Sequence, residues 1–220
     1  MKTVLITGAN RGIGLEFCRL YTEAGDQVVA VCRKTSPELH DLGVRVMDGV
    51  DVSNQEAVDR CSDSVADLSI DVLINNAAIL RGDSFPHLDP DAIREHFDVN
   101  TLGPLRVTLA LLDRLHEGSK IAMITSRVGS IQDNGSGGLY GYRISKTALN
   151  MLGANLAHDL SKRGIWVGLL HPGYVRTDMT GGQGHMDASE AARGLIQRIA
   201  ELGPDTTGAF RHANGEPIPW

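Results

Sequence analysis

Residues 4–14 decide how this chain folds: they read VLITGANRGIG, an apolar run that leads into a turn with three glycines. A continuous apolar run of this kind is typical of a strand buried on both faces of a sheet. Gly8, Gly12 and Gly14 then fall before and within the start of a helix, where glycine permits positive φ and close backbone approach. Because the start of a helix offers free amides and a partial positive charge, this turn predicts a site for a pyrophosphate.

The spacing of these glycines is GxxxGxG, which differs from the commoner GxGxxG pattern. A tight strand–helix turn without a ligand is therefore an alternative interpretation. The position of the turn, after an N-terminal strand and before an amphipathic helix, favours a dinucleotide site.

The rest of the chain alternates between apolar runs typical of buried strands and segments with helical periodicity. Further apolar runs lie at 28–31, 44–47, 71–74, 120–124 and 165–170, with a final candidate at 209–212, and helical periodicity covers about 13–25, 54–66, 89–116, 142–163 and 188–202. Strands that alternate with helices imply right-handed βαβ units. We therefore expect an α/β fold in which residues 1–220 form one doubly wound, Rossmann-like domain, with a central parallel sheet of about seven strands and helices on both faces.

Composition narrows the possible partners and compartments. The chain has 220 residues and a net charge of −6, which disfavours a nucleic-acid partner. No apolar run approaches the ~20 residues that cross a bilayer, and the first residues lack a signal-peptide cleavage pattern. Cys18, Cys32 and Cys61 form neither a CxxC pair nor a metal-ligand cluster. We therefore expect a cytoplasmic protein without a bound metal.

The residues after the second strand indicate which dinucleotide binds. An acidic residue at this place favours NAD, but the sequence here reads Cys32-Arg33-Lys34. Arg33 and Arg11 could together bind a 2′-phosphate, which favours NADP(H) over NAD(H), although each could instead be a solvated surface charge. Asp51, after the third strand, could accept from the adenine amino group or cap the next helix, for which Ser53 is the better candidate.

Three further residues form a candidate catalytic set. Tyr142 and Lys146 are four apart at the start of a predicted helix and therefore share a face. A free tyrosine has a pKa of ~10, and a nearby ammonium lowers it, which makes tyrosine a plausible general acid/base. Ser126 closes the fifth strand, where its hydroxyl could hold a carbonyl oxygen. Each residue alone is weak evidence, but their combination after a dinucleotide turn is specific.

Over essentially its whole length the chain resembles the short-chain dehydrogenase/reductase family. The residues that carry the resemblance are TGANRGIG (7–14), Asp51-Val52, Asn75-Asn76-Ala77-Ala78, Asn100, Ser126, Tyr142 with Lys146, and Pro172-Gly173 with Thr177. The resemblance implies that Tyr142 is the acid/base and that Lys146 lowers its pKa and binds the nicotinamide ribose. It implies that Ser126 orients the substrate and that Asn100 holds a water that links Lys146 to a proton relay.

The same resemblance assigns the cofactor contacts. Asn76 and Ala77 would lie along the adenosine ribose, and Pro172 and Gly173 would flank the nicotinamide, with Val175 and Thr177 near its carboxamide. The complete predicted cofactor-binding set is Gly8, Asn10, Arg11, Gly12, Ile13, Gly14, Arg33, Asp51, Val52, Asn76, Ala77, Ala78, Tyr142, Lys146, Pro172, Gly173, Val175 and Thr177.

Two departures from the family pattern concern the pocket. Ala78 stands where the family usually has glycine, and the segment between Thr177 and Ala188 is short. A short segment there implies an open, shallow substrate pocket. We expect Leu80, Arg127 and Tyr140 at its mouth, although Tyr140 could equally be a surface aromatic. Within the family, the chain length and the ending GAFRHANGEPIPW are similar to C-factor-like and sniffer-like carbonyl reductases.

The expected function is hydride transfer between nicotinamide and a carbonyl or alcohol. The C-factor resemblance keeps a second hypothesis open, a cofactor-binding signalling or sensing protein with little turnover. A sugar-nucleotide epimerase shares the Tyr-x-x-x-Lys pair, but too few residues follow the sixth strand for its extra domain. The resemblance also implies a homodimer or homotetramer, through the helix after Tyr142 and a face formed by Leu102, Leu105, Leu109 and Leu112. We expect at least half of these leucines to pack on their own sheet.

Overall fold

The computed structural model describes residues 1–220 and contains a seven-stranded sheet whose neighbours all pair in parallel, in the order β3-β2-β1-β4-β5-β6-β9. Its strands are β1 Thr3–Thr7, β2 Gln27–Val31, β3 Arg45–Met47, β4 Ile70–Asn75, β5 Leu115–Ile124, β6 Trp166–His171 and β9 Phe210–His212. The predicted α/β class and doubly wound parallel sheet are confirmed. A separate pair, β7 Val175–Arg176 and β8 Met186–Asp187, was not expected from the sequence.

Helices cover both faces of this sheet. They are α1 Gly12–Glu23, α2 Pro37–His40, α3 Gln55–Ser64, α4 Pro90–Phe97, α5 Gly103–Ala110, α6 Tyr140–Ser161 and α7 Ala188–Ala200. None of them combines the length and apolar character needed to cross a lipid bilayer.

The alternation of side chains along the strands builds two separate cores. In β1, Leu5 faces the core that α3, α5 and α6 complete, whereas Val4 and Ile6 face the core of α1, α2 and α7. Because successive side chains of a strand point to opposite faces, a strand buried on both faces must be apolar throughout. This requirement accounts for the unbroken apolar runs in the sequence.

The predicted helix over 89–116 is not continuous. A π-helical segment, Asp98–Leu102, separates α4 from α5, and Leu115 already belongs to β5. Pro104 explains the interruption, because a proline in an α-helix lacks the N–H for the carbonyl four residues back, here that of Asn100, and its ring clashes with it. The proline therefore places Asn100 within a widened turn.

The expectation that at least half of the four leucines pack on their own sheet is wrong. Leu109 is 56% exposed, Leu102 and Leu105 are only partly buried, and Leu112 alone packs against the core. Val107, Leu111 and Leu115 are the buried residues of this stretch.

Candidate active site

A cleft of about 1060 Å³ opens at the carboxyl ends of the central strands, a volume at the upper end for ligand pockets. The carboxyl edge of an open parallel sheet is where such folds bind ligands. The predicted residues that line the cleft are Gly8, Asn10, Arg11, Gly12, Ile13, Gly14, Arg33, Asp51, Val52, Asn76, Ala77, Ala78, Tyr142, Lys146, Pro172 and Thr177. The predicted residues that do not line it are Leu80, Asn100, Ser126, Arg127, Tyr140, Gly173 and Val175.

The glycine turn is shaped by contacts that leave no room for side chains. Gly8 and Gly12 have φ of +66° and +54°, a region that L-residues rarely adopt. A Cβ on Gly8 would lie 2.8 Å from the Cα of Ala77, and one on Gly14 would lie 2.1 Å from the carbonyl oxygen of Gly8. The turn therefore keeps an exposed strip of backbone at the start of α1.

The amino end of α1 also fits an anionic group. Arg11 is the N-cap residue, yet no side chain caps the helix, and its first turn contains no acidic residue. The first amides of a helix need acceptors from elsewhere, and a pyrophosphate is an acceptor of suitable charge. The residues present therefore fit a dinucleotide at this turn.

Asn76, which lines the cleft, also hydrogen-bonds to the glycine turn. Its side-chain nitrogen donates to the carbonyl oxygens of Thr7 at 3.0 Å and Gly8 at 3.2 Å. The Thr7 hydroxyl in turn accepts from the main-chain nitrogens of Asn76 at 3.0 Å and Ala77 at 3.1 Å. These four bonds tie the end of β4 to the end of β1, so Asn76 primarily braces the glycine turn.

The two arginines of the predicted phosphate site each have an acidic partner. Arg33 lies 3.9 Å from Asp51, and Arg11 lies 3.2 Å from Asp178 on the opposite wall of the cleft. All four side chains are substantially exposed, so both pairs are weak and exchangeable. The arginines are available to a phosphate that competes for them, and Lys34 lies in the same wall.

Asp51 does not cap the following helix, and neither does Ser53. Asn54 is the N-cap residue of α3, and its side chain accepts from the amide of Ala57 at 2.9 Å. Asp51 accepts instead from the amide and the hydroxyl of Ser53, at 2.9 and 2.7 Å. Burial raises the pKa of Asp51, but the bonds from Ser53 and the nearby Arg33 outweigh this effect and lower its pKa. Asp51 is therefore a stable carboxylate acceptor in the cleft wall.

Tyr142 and Lys146 lie one turn apart near the start of α6, as predicted. The Lys146 ammonium nitrogen is 5.7 Å from the centre of the Tyr142 ring and donates to the carbonyl oxygen of Ile124 at 2.9 Å. Ser126 follows β5, and its hydroxyl is close enough to Tyr142 to lower the pKa of the phenol. Tyr142 and Lys146 thus line the cleft, and Ser126 directly follows Thr125, which also lines it.

Burial has the largest effect on the pKa values of Tyr142 and Lys146, larger than the effect of the ammonium on the phenol. It raises the pKa of Tyr142 to about 12, an effect that the hydrogen bond with Ser126 only partly offsets. It lowers the pKa of Lys146 to about 7. The sequence-based expectation of a lowered tyrosine pKa is therefore wrong for the protein alone, because removing both groups from water favours their neutral forms. A neutral phenol at neutral pH is suited to donate a proton.

Asn100 lies behind the cleft and is fully buried. Its side chain accepts from the amide of Ile79 at 2.8 Å and donates to the carbonyl of Ile79 and to the hydroxyl of Ser145, both at 3.0 Å. Ser145 in turn donates to the carbonyl oxygen of Tyr142 at 2.7 Å. Asn100 therefore connects the segment after β4 to the turn of α6 that bears the tyrosine.

Sequence reasoning missed Ser145, whose position directly before Lys146 was the available signal. It also missed Asp83, whose carboxylate accepts from the main-chain nitrogens of Tyr140 and Gly141. No local pattern marks Asp83, because its partners lie nearly sixty residues further along the chain.

The three predicted pocket-mouth residues differ in their surroundings. Arg127 is about half exposed and lies 3.3 Å from Asp133, so one edge of its guanidinium faces a carboxylate. Tyr140 is 37% exposed at the first position of α6, and Leu80 is partly buried after β4. None of the three lines the cleft, although Arg127 directly follows Ser126 and Tyr140 lies two residues before Tyr142.

Gly173 and Val175 support the cleft wall from behind. Val175 is buried in β7, and a Cβ on Gly173, whose φ is +97°, would lie 3.0 Å from the side chain of Met186. Thr177 lies against the glycine turn, with its methyl group 3.4 Å from the Cβ position of Gly12. The segment after β6 thus closes over the turn from which α1 begins.

Comparison with known proteins agrees with this geometry. The family model described as short chain dehydrogenase matches residues 2–188. A 1-hydroxy-2-glutathionyl-2-methyl-3-butene dehydrogenase of Rhodococcus sp. (strain AD45) is 42% identical over 226 residues, covering 100% of both chains. The C-signal protein of Myxococcus xanthus is 41% identical over 158 residues, covering 69% of this chain and 93% of that one.

Solved structures of carbonyl reductases have the same fold. The Sniffer carbonyl reductase of D. melanogaster superimposes with a TM-score of 0.93 at 29% identity, covering 100% of both chains. The NADPH-bound carbonyl reductase from chicken fatty liver gives a TM-score of 0.92 at 29% identity, covering 100% of this chain and 99% of that one. With the glycine turn, the cleft and the tyrosine–lysine–serine set in place, these matches show that the chain belongs to the short-chain dehydrogenase/reductase family.

Proposed function

We propose that this protein is a cytoplasmic NADP(H)-dependent carbonyl reductase, with residues 1–220 forming one cofactor-binding oxidoreductase domain. The observation that carries the proposal is the grouping of Tyr142, Lys146 and Ser126 at the edge of a cleft that begins at the glycine turn. The three buried free cysteines suit a reducing compartment.

The cofactor would be held by the turn amides at the start of α1, by Thr177 and by Lys146. When bound, its nicotinamide supplies or accepts the hydride at the substrate carbon. The Ser126 and Tyr142 hydroxyls bind the carbonyl oxygen and stabilise the charge that develops on it. The Tyr142 hydroxyl then donates its proton to that oxygen, and in the oxidation it takes the proton back. Lys146, in its charged form, stabilises the phenolate that remains.

Substitution of Tyr142 by phenylalanine tests the chemistry. The change removes only the hydroxyl, and we expect turnover of aldehydes, ketones and quinones to fall by about 10²- to 10⁴-fold while the cofactor still binds. Tyr21→Phe, in the core between α1 and its sheet, is a matched control that retains turnover. Full activity of the Tyr142 variant would refute the assignment.

The preference for NADP(H) rests on Arg33 and Arg11. Both line the cleft and no acidic residue occupies the position after β2. Titration with NADPH and NADH, followed by reduced-nicotinamide fluorescence, should give the tighter complex with NADPH. Arg33→Ala should weaken NADPH binding and leave NADH binding nearly unchanged, since only NADPH carries the 2′-phosphate. Equal losses for both nucleotides would contradict the preference.

A second candidate is a cofactor-binding signalling or sensing role with little turnover. The similarity to the C-signal protein of Myxococcus xanthus favours it. The same titration separates the two, because a sensor binds NADPH without consuming it in the presence of any carbonyl compound of the panel. The intact Tyr142, Lys146 and Ser126 set supports the enzyme.

The first alcohol to test carries a glutathionyl group. The proposal rests on the Rhodococcus dehydrogenase, which is similar over the whole chain and whose name specifies such a substrate. Arg127, which directly follows Ser126 and is about half exposed, is a candidate partner for a carboxylate of the peptide part. This substrate class would be supported if the wild-type protein oxidises a glutathionyl alcohol and Arg127→Ala raises the KM for that alcohol.

We also propose that the protein forms a homodimer or homotetramer. Ile144 and Met151 are exposed on α6, and Leu109 is exposed on α5. These apolar side chains are candidates for burial between subunits. Light scattering with size-exclusion chromatography measures the mass, and Met151→Glu should lower it to that of a monomer. A monomeric wild-type protein would contradict the proposal.

A further inference from the structure

The helix that bears Tyr142 lacks a cap from its own segment. Leu139, its N-cap residue, has a φ of +49° and makes no side-chain capping bond, and the first turn contains no acidic residue. The first amides of a helix lack internal acceptors, and a bulky residue at positive φ persists only when its surroundings hold it. The start of α6 therefore depends on contacts from elsewhere in the molecule.

Asp83 supplies this cap from the segment that follows β4. One carboxylate oxygen accepts from the amide of Tyr140, and the other accepts from the amide of Gly141 at 2.7 Å. A carboxylate at this end of a 22-residue helix also opposes the positive end of its dipole. The next residue along the chain is Tyr142, so Asp83 fixes the backbone directly before the tyrosine.

The segment that carries Asp83 is itself held at two earlier points. Asn100 binds both main-chain groups of Ile79, and the ring of His96 accepts from the amide of Arg81 at 3.0 Å. The other ring nitrogen of His96 lies 2.8 Å from the carbonyl oxygen of Ala92, which requires that nitrogen to carry the proton. A segment held this firmly presents its carboxylate in one place.

Close packing makes the contact between this segment and the helix specific. A Cβ on Gly141 would lie 2.8 Å from the His96 ring nitrogen and 3.2 Å from the Asp83 carboxylate. The ring of His96 also meets the ring of Tyr142 edge-on, with 6.5 Å between their centres. The start of α6, the segment after β4 and α4 thus meet at one point beside the phenol.

We propose that Asp83 is a positioning residue for Tyr142, because its carboxylate fixes the start of α6 and thereby holds the phenol against Ser126 and Lys146. The inference rests on the proposed oxidoreductase function. The proposed role needs no contact between Asp83 and the substrate. Asp83 acts through the position of Tyr142 in the transition state. A displacement of about 1 Å in a reacting group can cost about 10²-fold in rate.

Three variants separate positioning from general stability. Asp83→Ala removes both acceptors, and Asp83→Asn retains one of them in a side chain of the same size. Asp89→Ala is the matched control, because Asp89 lies in the same segment and caps α4 through the amide of Asp91 at 2.9 Å, and it makes no hydrogen bond to α6. For each protein, kcat, KM, the NADPH dissociation constant and the exchange of the 140–146 amides with deuterium are measured.

We expect Asp83→Ala to lower kcat by about 10- to 100-fold, with NADPH affinity within about twofold of the wild type. Asp83→Asn should recover part of the loss, and both variants should exchange the first amides of α6 faster. Asp89→Ala should retain kcat and the slow exchange in α6. If both Asp83 variants keep wild-type kcat and exchange, or lose kcat and NADPH affinity in parallel, the inference is overturned.

A failure of the proposed function would look different. If the wild-type protein consumes no carbonyl compound, the carbonyl reductase proposal fails, whereas amide exchange still decides the inference. Unchanged exchange at residues 140–146 in Asp83→Ala would show that the carboxylate does not hold the helix start, whatever the reaction is.

Discussion

Substitution of Lys146 by methionine should change how the stability of the fold depends on pH. Lys146 is 2% exposed, and burial lowers its pKa from the ordinary 10.5 to about 7. The unfolded chain holds this proton up to about pH 10.5, whereas the folded protein releases it near pH 7. Unfolding therefore takes up a proton in this window, and the wild-type protein should become more stable as the pH rises through it.

The magnitude follows from the two pKa values. At ~1.4 kcal/mol per pKa unit, the buried lysine costs on the order of 4 kcal/mol at pH 7 and about 1 kcal/mol near pH 9.5. The wild-type protein should thus gain about 3 kcal/mol over this range relative to Lys146→Met, which carries no titrating group there. The variant also loses the bond to the carbonyl of Ile124, but this loss does not depend on pH and leaves the slope intact.

Urea unfolding followed by tryptophan fluorescence, at several pH values without added nucleotide, measures the difference by linear extrapolation. Lys162→Met, at the exposed carboxyl end of α6, controls for the loss of one positive charge. Tyr142 titrates in both proteins, so its contribution cancels. Parallel stability curves for the wild type and Lys146→Met would refute the argument that burial keeps this lysine neutral.

Three further predictions concern other parts of the molecule. Gly14→Ala should abolish nucleotide binding and destabilise the fold by about 3 kcal/mol or more, because its Cβ would lie 2.1 Å from a carbonyl oxygen. Gly82 has open space around its Cβ position, so Gly82→Ala should be neutral in the same binding and thermal unfolding assays. Burial, with a smaller effect of neighbouring cations, lowers the pKa of His171 from 6.5 to about 3, so stability should fall as the pH drops through this range. His171→Asn should flatten that fall in acid unfolding, and an unchanged acid limb would contradict this account. Asp178→Asn should free Arg11 from its 3.2 Å ion pair and raise NADPH affinity by a few-fold in fluorescence titrations. Weaker NADPH binding by this variant would contradict the prediction.

Local features of the chain were sufficient to predict the fold and the members of the catalytic set. The apolar runs predict strands buried on both faces because side chains alternate along a strand. Gly8 and Gly12 mark the turn through their positive φ, and Gly14 through its approach to the carbonyl oxygen of Gly8, and these are properties of the local backbone. Tyr142 and Lys146 share a helix face because of the helical repeat, whatever the rest of the chain does.

The sequence did not reveal the properties that depend on distant partners. The amide of Asn76 braces the Thr7 and Gly8 carbonyls, which no spacing in the sequence indicates. The leucine face was misjudged because Val107 and Leu111 also repeat at helical spacing, and spacing alone does not choose between two apolar faces of one helix.

The sequence by itself determined the α/β fold, the glycine turn and the identity of the tyrosine, lysine and serine. Only the tertiary structure decided how these groups behave. Burial sets the pKa values of Tyr142 and Lys146, and burial exists only once β5, β6 and α6 have packed. Asp83 reaches the start of α6 from 58 residues away because the fold brings the end of β4 beside that helix. Periodicity is a property of neighbours along the chain, whereas solvation and capping across such distances are properties of neighbours in space.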